Sequence, residues 1–208
     1  MRRLEVDAGM PDAGVVEVAA ACIRAGGVVA FPTDTLYGLA ADPFSDAAVA
    51  RVFAIKLRPP DRPIPLIAGS ADAARRAGRF TPLAQRLAAR AWPGPLTLIV
   101  PAVAAIAAAV HQGTGTVGVR VPGHAVARAL AAGAGGLITA TSANRSGEPP
   151  AVRAADVLAL EAGGLDLVLD GGPVRGGAPS TVVDVTGEVP LLVRAGALPW
   201  DRVLEFSG

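Results

Sequence analysis

Lys56 is the only lysine among the 19 basic residues of this 208-residue chain, and Arg58 follows it two positions later. An ammonium group is a compact charge with three donors that suits phosphate oxygens at close range, whereas a guanidinium is a planar fork. Chance survival of one lysine in an arginine-rich chain would explain the residue equally well. Lys56 and Arg58 are therefore candidate catalytic and phosphate-binding side chains, and the other polar groups of the chain decide between the two interpretations.

Further hydroxyl, amide and guanidinium groups occupy strand ends and the turns that follow short apolar runs. Because ligands bind outside the strand ends of open α/β sheets, we expect these groups to converge. They can bind phosphate and carboxylate, which favours positioning and charge neutralisation over covalent catalysis. Turn formation and surface ion pairs are the structural alternatives, and for Asp34 turn formation is favoured over water-mediated magnesium binding. The groups are Thr33, Asp34, Thr35, Arg120, Ser142, Asn144, Ser180 and Arg194.

Several common site types do not fit the sequence. The glycine pattern of residues 113–118 precedes a predicted strand, whereas a dinucleotide-binding fingerprint must follow a strand and open a helix. No phosphate-binding P-loop is possible, because the glycines required before its lysine do not precede Lys56. One cysteine, Cys22, and two separated histidines, His111 and His124, do not form a zinc pattern, and we expect no protein-bound metal.

Alternating apolar runs and helical patterns predict an α/β fold, a twisted and open mixed sheet with flanking helices. Helices are predicted near residues 15–25, 45–56, 123–132 and 154–160, with further helix starts at Ser70 and Thr81. Residues 58–63 contain three prolines and are predicted to form a stiff loop. Strands are predicted at residues 28–31, 96–100, 116–121, 137–140, 167–169, 181–185 and 191–193.

Composition narrows the class of protein further. A net charge of +1 and an aromatic content of 4% argue against a large nucleic-acid footprint. The single cysteine fits a reducing cytoplasm, and the N-terminus carries no apolar signal segment. The longest apolar run, residues 95–110, contains Pro101 and falls short of the roughly 20 residues of a membrane span. We expect a cytoplasmic α/β domain covering residues 1–208, with no membrane partner.

Seven segments, in order along the chain, resemble the YrdC family. The lysine-x-arginine and serine-x-asparagine pairs are the central marks of the resemblance. The matching segments are residues 31–39, 56–59, 92–97, 119–122, 142–147, 180–182 and 192–196.

The resemblance implies an L-threonylcarbamoyl-AMP synthase activity. L-Threonine, bicarbonate and ATP with Mg²⁺ would give threonylcarbamoyl-AMP and diphosphate. A downstream transferase complex would then modify adenosine 37 of transfer RNAs that read ANN codons. The family fold implies a concave, positively charged cavity. Because the chain ends at Gly208, the short form without a C-terminal domain is expected.

Roles for individual residues also follow from the resemblance. Lys56 and Arg58 would be catalytic and neutralise the triphosphate. Ser142, Asn144 and Arg194 would complete the ATP site. The threonine end would be formed by Thr33, Thr35, Arg120 and Ser180, with Arg120 gripping the amino-acid carboxylate.

One departure from the family and three alternatives remain open at this stage. Many family members carry a histidine where this chain has Ile67, so any contact of that histidine with threonine would be absent. A paralogous enzyme could act on another carbamoylated or adenylated small molecule. A module of the same fold could bind double-stranded RNA without chemistry, or RNA binding could be a weak addition. A scaffold could hold the substrates without turnover.

Overall fold

The computed structural model describes residues 1–57, 62–160, 163–174 and 176–208. Helices and strands alternate along most of the chain. The helices are α1 (Ala13–Arg24), α2 (Asp46–Lys56), α3 (Ala71–Ala74), α4 (Pro82–Ala91), α5 (Ala108–His111), α6 (Ala125–Gly133), α7 (Ala154–Ala159) and α8 (Trp200–Ser207). The strands are β1 (Arg2–Glu5), β2 (Val29–Pro32), β3 (Tyr37–Ala40), β4 (Leu66–Ala68), β5 (Leu96–Pro101), β6 (Thr116–Arg120), β7 (Leu137–Thr139), β8 (Thr141–Ser142), β9 (Leu167–Asp170), β10 (Thr181–Asp184) and β11 (Leu191–Arg194).

The strands form two mixed sheets, and this confirms the predicted α/β class with a more divided sheet than expected. The first sheet has the order β1-β9-β2-β3-β8, and the second has the order β11-β10-β5-β6-β4-β7. Strand β9 pairs in parallel with β1 and β2, whereas β3 pairs antiparallel with β2 and β8. In the second sheet β10 and β11 form an antiparallel pair. Each sheet thus mixes parallel and antiparallel neighbours.

Capping residues in the sequence correctly predicted the start of several helices. Ser45, Ser70 and Thr81 each accept a backbone N–H from the first turn of the helix that they precede, as predicted. Strand β1 was missed because its side chains are largely exposed and show no apolar alternation. Strand β4 was missed because it has only three residues and follows two prolines. Of the predicted stiff loop, residues 58–61 lie outside the described ranges.

Two apolar clusters fill the fold, and neighbouring residues of one strand serve different clusters. In β2, Ala30 belongs to the cluster that joins the two sheets, whereas Val29 and Phe31 belong to the cluster beneath α1 and α6. Strands that are buried on both faces read as continuous apolar runs, and this explains why β2 was recognisable from sequence. Within the described ranges, no helix combines the length and apolarity that a bilayer crossing needs.

Thr139 connects the two sheets through polar groups in this core. Its backbone N–H donates to the carbonyl oxygen of Ala41 at 3.0 Å, and the N–H of Ala41 donates to Thr139 Oγ1 at 2.9 Å. The same hydroxyl donates to the carbonyl oxygen of Leu39 at 3.3 Å. Thr139 is fully buried, and the chain passes directly from it into β8 of the other sheet. Because the Thr139 hydroxyl is buried, solvent water cannot take over its hydrogen bonds at this junction.

We predict that Thr139→Val lowers the free energy of unfolding by about 1–3 kcal/mol, because the buried N–H of Ala41 loses its acceptor. Valine matches the shape of threonine, so no cavity arises. Thr116→Val is the matched control, since its hydroxyl bonds only the exposed Thr114 side chain. Urea denaturation of the three proteins measures the effect. Equal unfolding free energies for Thr139→Val and the parent protein would contradict this account of the junction.

Candidate active site

A cleft of about 400 Å³ opens between the two sheets. The first sheet contributes the start of β3, the turn before it and β8, while the second contributes β4, β5, β6, the end of β11 and the residues just before β10. The sequence-predicted residues that line the cleft are Thr33, Thr35, Arg120, Ser142, Ser180 and Arg194. Segments far apart in the chain therefore meet in one place, as the strand-end argument predicts.

Two predicted residues lie directly behind this lining, and one lies outside the described ranges. Lys56 and Asn144 are 4% and 8% exposed and reach the cleft wall through contacts with Ser142. Arg58 is the residue that the described ranges do not include. Its predicted role stays a prediction.

The Lys56 ammonium is surrounded by oxygens of the segment 142–144, here called the 142–144 loop. Its Nζ donates to the carbonyl oxygen of Ser142 at 2.6 Å, to Asn144 Oδ1 at 2.9 Å and to the carbonyl oxygen of Asn144 at 3.1 Å. An ammonium has three donors, so these three acceptors use all of them. Lys56 thus fixes the loop and places a positive charge behind Ser142.

Ser142 and Asn144 are held in turn by one another and by the loop that follows. The Ser142 hydroxyl donates to Asn144 Oδ1 at 2.6 Å, and Asn144 Nδ2 donates to the carbonyl oxygen of Glu148 at 2.7 Å. The amide oxygen of Asn144 therefore accepts from both Lys56 and Ser142. This network explains the serine-x-asparagine spacing, because the Ser142 hydroxyl and the Lys56 ammonium must both reach the amide oxygen of Asn144.

Tyr37, the only tyrosine of the chain, links two loops of the site and was not predicted as a site residue. Its carbonyl oxygen accepts from the N–H of Ala143 at 2.8 Å. Its hydroxyl donates to the carbonyl oxygen of Gly172 at 2.7 Å and accepts from the N–H of Gly171 at 3.2 Å. Burial, with the nearby Asp170 carboxylate, raises the pKa of Tyr37 to about 12. The hydroxyl therefore stays protonated and anchors the start of the segment that leads to Ser180.

Ser180 is oriented by side chains from two neighbouring strands. Its hydroxyl lies 2.8 Å from Thr97 Oγ1, and Arg194 Nη2 donates to the carbonyl oxygen of Ser180 at 2.8 Å. Thr97 is buried and lines the cleft, although sequence reasoning had used it only as part of a motif. Burial lowers the pKa of the Arg194 guanidinium from its usual value. Arg194 therefore holds Ser180 while its charge borders the cleft.

Arg120 is a buried cation with unused donors. It is 9% exposed, and Asp34 Oδ2 lies 3.7 Å from its Nη2. Across the described ranges, its guanidinium makes this ion pair and no side-chain hydrogen bond. Burial lowers the pKa of Arg120, the Asp34 carboxylate opposes that shift, and the charge of Arg194 adds to it. Two arginines that repel each other beside one cleft form a site for an anion.

Ile67 and Thr33 contribute shape rather than charge. Ile67 pairs with Arg120 across β4 and β6, and its side chain is 2% exposed within the cluster beneath α1 and α6. The cleft wall at this position is therefore apolar. The Thr33 hydroxyl donates to the carbonyl oxygen of Leu36 at 2.7 Å and so closes the turn of residues 33–36, here called the 33–36 turn.

Comparison with known proteins identifies the family of this chain. The family model for Sua5/YciO/YrdC proteins, described as telomere recombination, matches residues 21–196. The threonylcarbamoyl-AMP synthase of Alkalilimnicola ehrlichii is 42% identical over 168 residues, which cover 79% of this chain and 88% of that protein. The crystal structure of Pyrococcus abyssi Sua5 complexed with L-threonine superposes with a TM-score of 0.91 at 36% identity, and covers 99% of this chain and 61% of that one.

Other relatives are considerably longer than this chain. The threonylcarbamoyl-AMP synthases of Pyrococcus abyssi and Bacillus subtilis are 39% and 38% identical over 93% and 91% of this chain. The chain spans only 57% and 56% of their lengths. The family model nevertheless covers most of the sequence and includes every predicted site residue. The chain belongs to the Sua5/YciO/YrdC family.

Proposed function

We propose that this protein is an L-threonylcarbamoyl-AMP synthase, a nucleotidyltransferase that uses L-threonine, bicarbonate and ATP. One observation carries the proposal. In the cleft, the Arg120 guanidinium makes no hydrogen bond within the described ranges, and Arg194 and Ser142 line the same space. An anionic amino acid and a polyphosphate are ligands that such a set of groups can hold together. The names of the relatives and the L-threonine bound to the Pyrococcus protein support this choice.

In the proposed reaction, the amine of threonine and bicarbonate form a carbamate and release water. A carbamate oxygen then attacks the α-phosphorus of ATP, a phosphorus–oxygen bond forms, and diphosphate leaves. Both reactants are negatively charged, so catalysis depends on cations and on alignment. Arg120 grips the amino-acid carboxylate as a bidentate fork. Thr33, Thr35 and Ser180 border the amino-acid end of the cleft.

The nucleotide end of the proposal is formed by Ser142, Asn144 and Arg194, together with Lys56 and Arg58. Lys56 acts there mainly through its charge and through the shape of the 142–144 loop, because its three donors already bind that loop. Ser142 lines the cleft and is the group of this loop that reaches a phosphate or ribose oxygen. Arg194 faces the same cleft and adds a cation.

Magnesium enters this proposal with ATP as part of the substrate. Across the described ranges, no group of three His, Cys, Asp or Glu side chains could hold a metal ion. Asp34, which the sequence offered as a water-mediated ligand, has Arg120 as its neighbour. Phosphate oxygens are the usual ligands of Mg²⁺ at such sites. The proposed product would pass to a transferase that modifies transfer RNA in the cytoplasm.

Incubation with MgATP, radiolabelled bicarbonate and a panel of amino acids tests the proposed function. We expect diphosphate release that requires threonine and bicarbonate together, because the carbamate is the nucleophile. Release with another amine would indicate a paralogous enzyme. Absence of turnover combined with salt-sensitive binding of duplex RNA would instead indicate an RNA-binding module, since phosphate contacts release counterions.

We predict that Lys56→Ala lowers the rate of adenylate formation by at least about tenfold, which corresponds to roughly 1.4 kcal/mol in the barrier. Loss of the ammonium frees the 142–144 loop and removes a charge behind Ser142. Lys56→Arg should not restore the rate, because a planar fork cannot meet three acceptors placed around one nitrogen.

Arg90→Ala, at an exposed position of α4, is the control for loss of one cation. Thermal unfolding monitors the fold of all three variants, and initial rates of diphosphate release measure turnover. Normal turnover in Lys56→Ala would remove Lys56 from the mechanism.

Arg120→Lys should raise the KM for threonine at least about tenfold and change the KM for ATP less than about twofold. A lysine keeps the charge but loses the paired donors that a carboxylate needs. Steady-state kinetics with each substrate varied in turn measure both constants. Equal increases in both KM values would contradict a specific role at the threonine end, and a larger increase in the KM for ATP would place Arg120 at the nucleotide end.

A further inference from the structure

Asp34 stands at the tip of the 33–36 turn and directs its carboxylate toward Arg120. The side chain is 34% exposed, and its Oδ2 lies 3.7 Å from Arg120 Nη2. A Cβ atom added to Gly123 would lie 3.1 Å from Asp34 Oδ1, so the glycine leaves room for the carboxylate. Asp34 therefore occupies a space formed by β6 and the residues that follow it, next to the cleft but not among its lining residues.

Turn formation, the role first expected of Asp34, is performed by its neighbour. The N–H of Thr33 donates to the carbonyl oxygen of Leu36 at 3.1 Å, and the Thr33 hydroxyl donates to the same oxygen at 2.7 Å. Throughout the described ranges, the Asp34 carboxylate accepts no hydrogen bond. The expectation that Asp34 shapes the turn is therefore wrong, because Thr33 already satisfies it.

The charges around Asp34 leave Arg120 as its partner. His124 is also close enough to feel the carboxylate, but burial lowers the pKa of His124, so the ring is neutral at pH 7. The charge of Arg194 repels that of Arg120. A desolvated guanidinium without Asp34 would feel this repulsion unopposed and would turn toward water.

We propose that Asp34 is the positioning residue for Arg120, and that it holds the guanidinium so that the remaining donors face a ligand carboxylate in the cleft. The separation of 3.7 Å is longer than a hydrogen bond, so Asp34 orients the fork without occupying its donors. The identity of the ligand as an amino acid rests on the proposed function. The ordering of Arg120 by Asp34 does not.

The first arm of the test observes Arg120 without any ligand. The Nε–Hε resonance of Arg120, identified by its loss in Arg120→Lys, should be sharp in the parent protein and broadened or shifted in Asp34→Asn. Asp42→Asn is the matched control, because it removes the same charge from another turn while asparagine can still accept from the N–H of Phe44. An unchanged Arg120 resonance in Asp34→Asn would overturn the proposal.

The second arm measures L-threonine binding by calorimetry in a double-mutant cycle. We expect Asp34→Asn to raise the Kd about tenfold in the parent background and less than twofold in the Arg120→Ala background, because Asp34 acts through Arg120. Asp42→Asn should leave the Kd within twofold of the parent. Additive effects of the two substitutions would overturn the proposal.

The two arms separate this inference from the proposed function. If the parent protein binds no threonine, the proposed function fails, and the Arg120 resonance alone decides the role of Asp34. If threonine binds and Asp34→Asn changes neither the resonance nor the Kd, the proposed function stands and Asp34 has no positioning role. Circular dichroism of each variant confirms that the comparison is made between folded proteins.

Discussion

A single buried ammonium organises the wall of the cleft that the 142–144 loop forms. Burying a charge is costly unless oxygens surround it, and the 142–144 loop supplies three oxygens to Lys56 within 3.1 Å. The loop in turn is held by that ammonium, because the amide oxygen of Asn144 and two carbonyl oxygens converge on it. Helix α2 therefore determines where Ser142 stands, although the two lie in different parts of the chain. The remainder of the site is arranged around this fixed wall.

Around Arg120 the cleft depends on charge rather than on hydrogen bonds. Arg120 is buried, lies near Arg194 and has Asp34 at 3.7 Å as its counter-charge. Without a ligand, the N–H donors of the buried Arg120 guanidinium lack hydrogen-bond acceptors within the described ranges. An anion that enters the cleft completes it. The cleft thus combines one wall whose polar groups bond one another with a second wall that has guanidinium donors available for an anion.

Features that depend on local sequence were easier to predict than features that depend on long-range packing. Helix starts at Ser45, Ser70 and Thr81 were predictable because capping depends on residues a few positions apart. The junction between the two sheets was not, since it includes contacts of the buried Thr139 hydroxyl with Ala41 and Leu39, about 100 positions away. Tyr37 was overlooked for the same reason, because its hydroxyl partners lie more than 130 positions away.

The sequence by itself determined the α/β class, the family and the set of polar residues at strand ends, because residue type, periodicity and motif order are local properties. Only the tertiary structure decided what each group faces. In the folded protein, the Lys56 ammonium contacts protein oxygens, and the Asp34 carboxylate faces the Arg120 guanidinium instead of bonding the backbone of its own turn. The Ile67 side chain is buried in an apolar cluster. Direction and burial depend on which distant segments pack together, and no spacing along the chain specifies them.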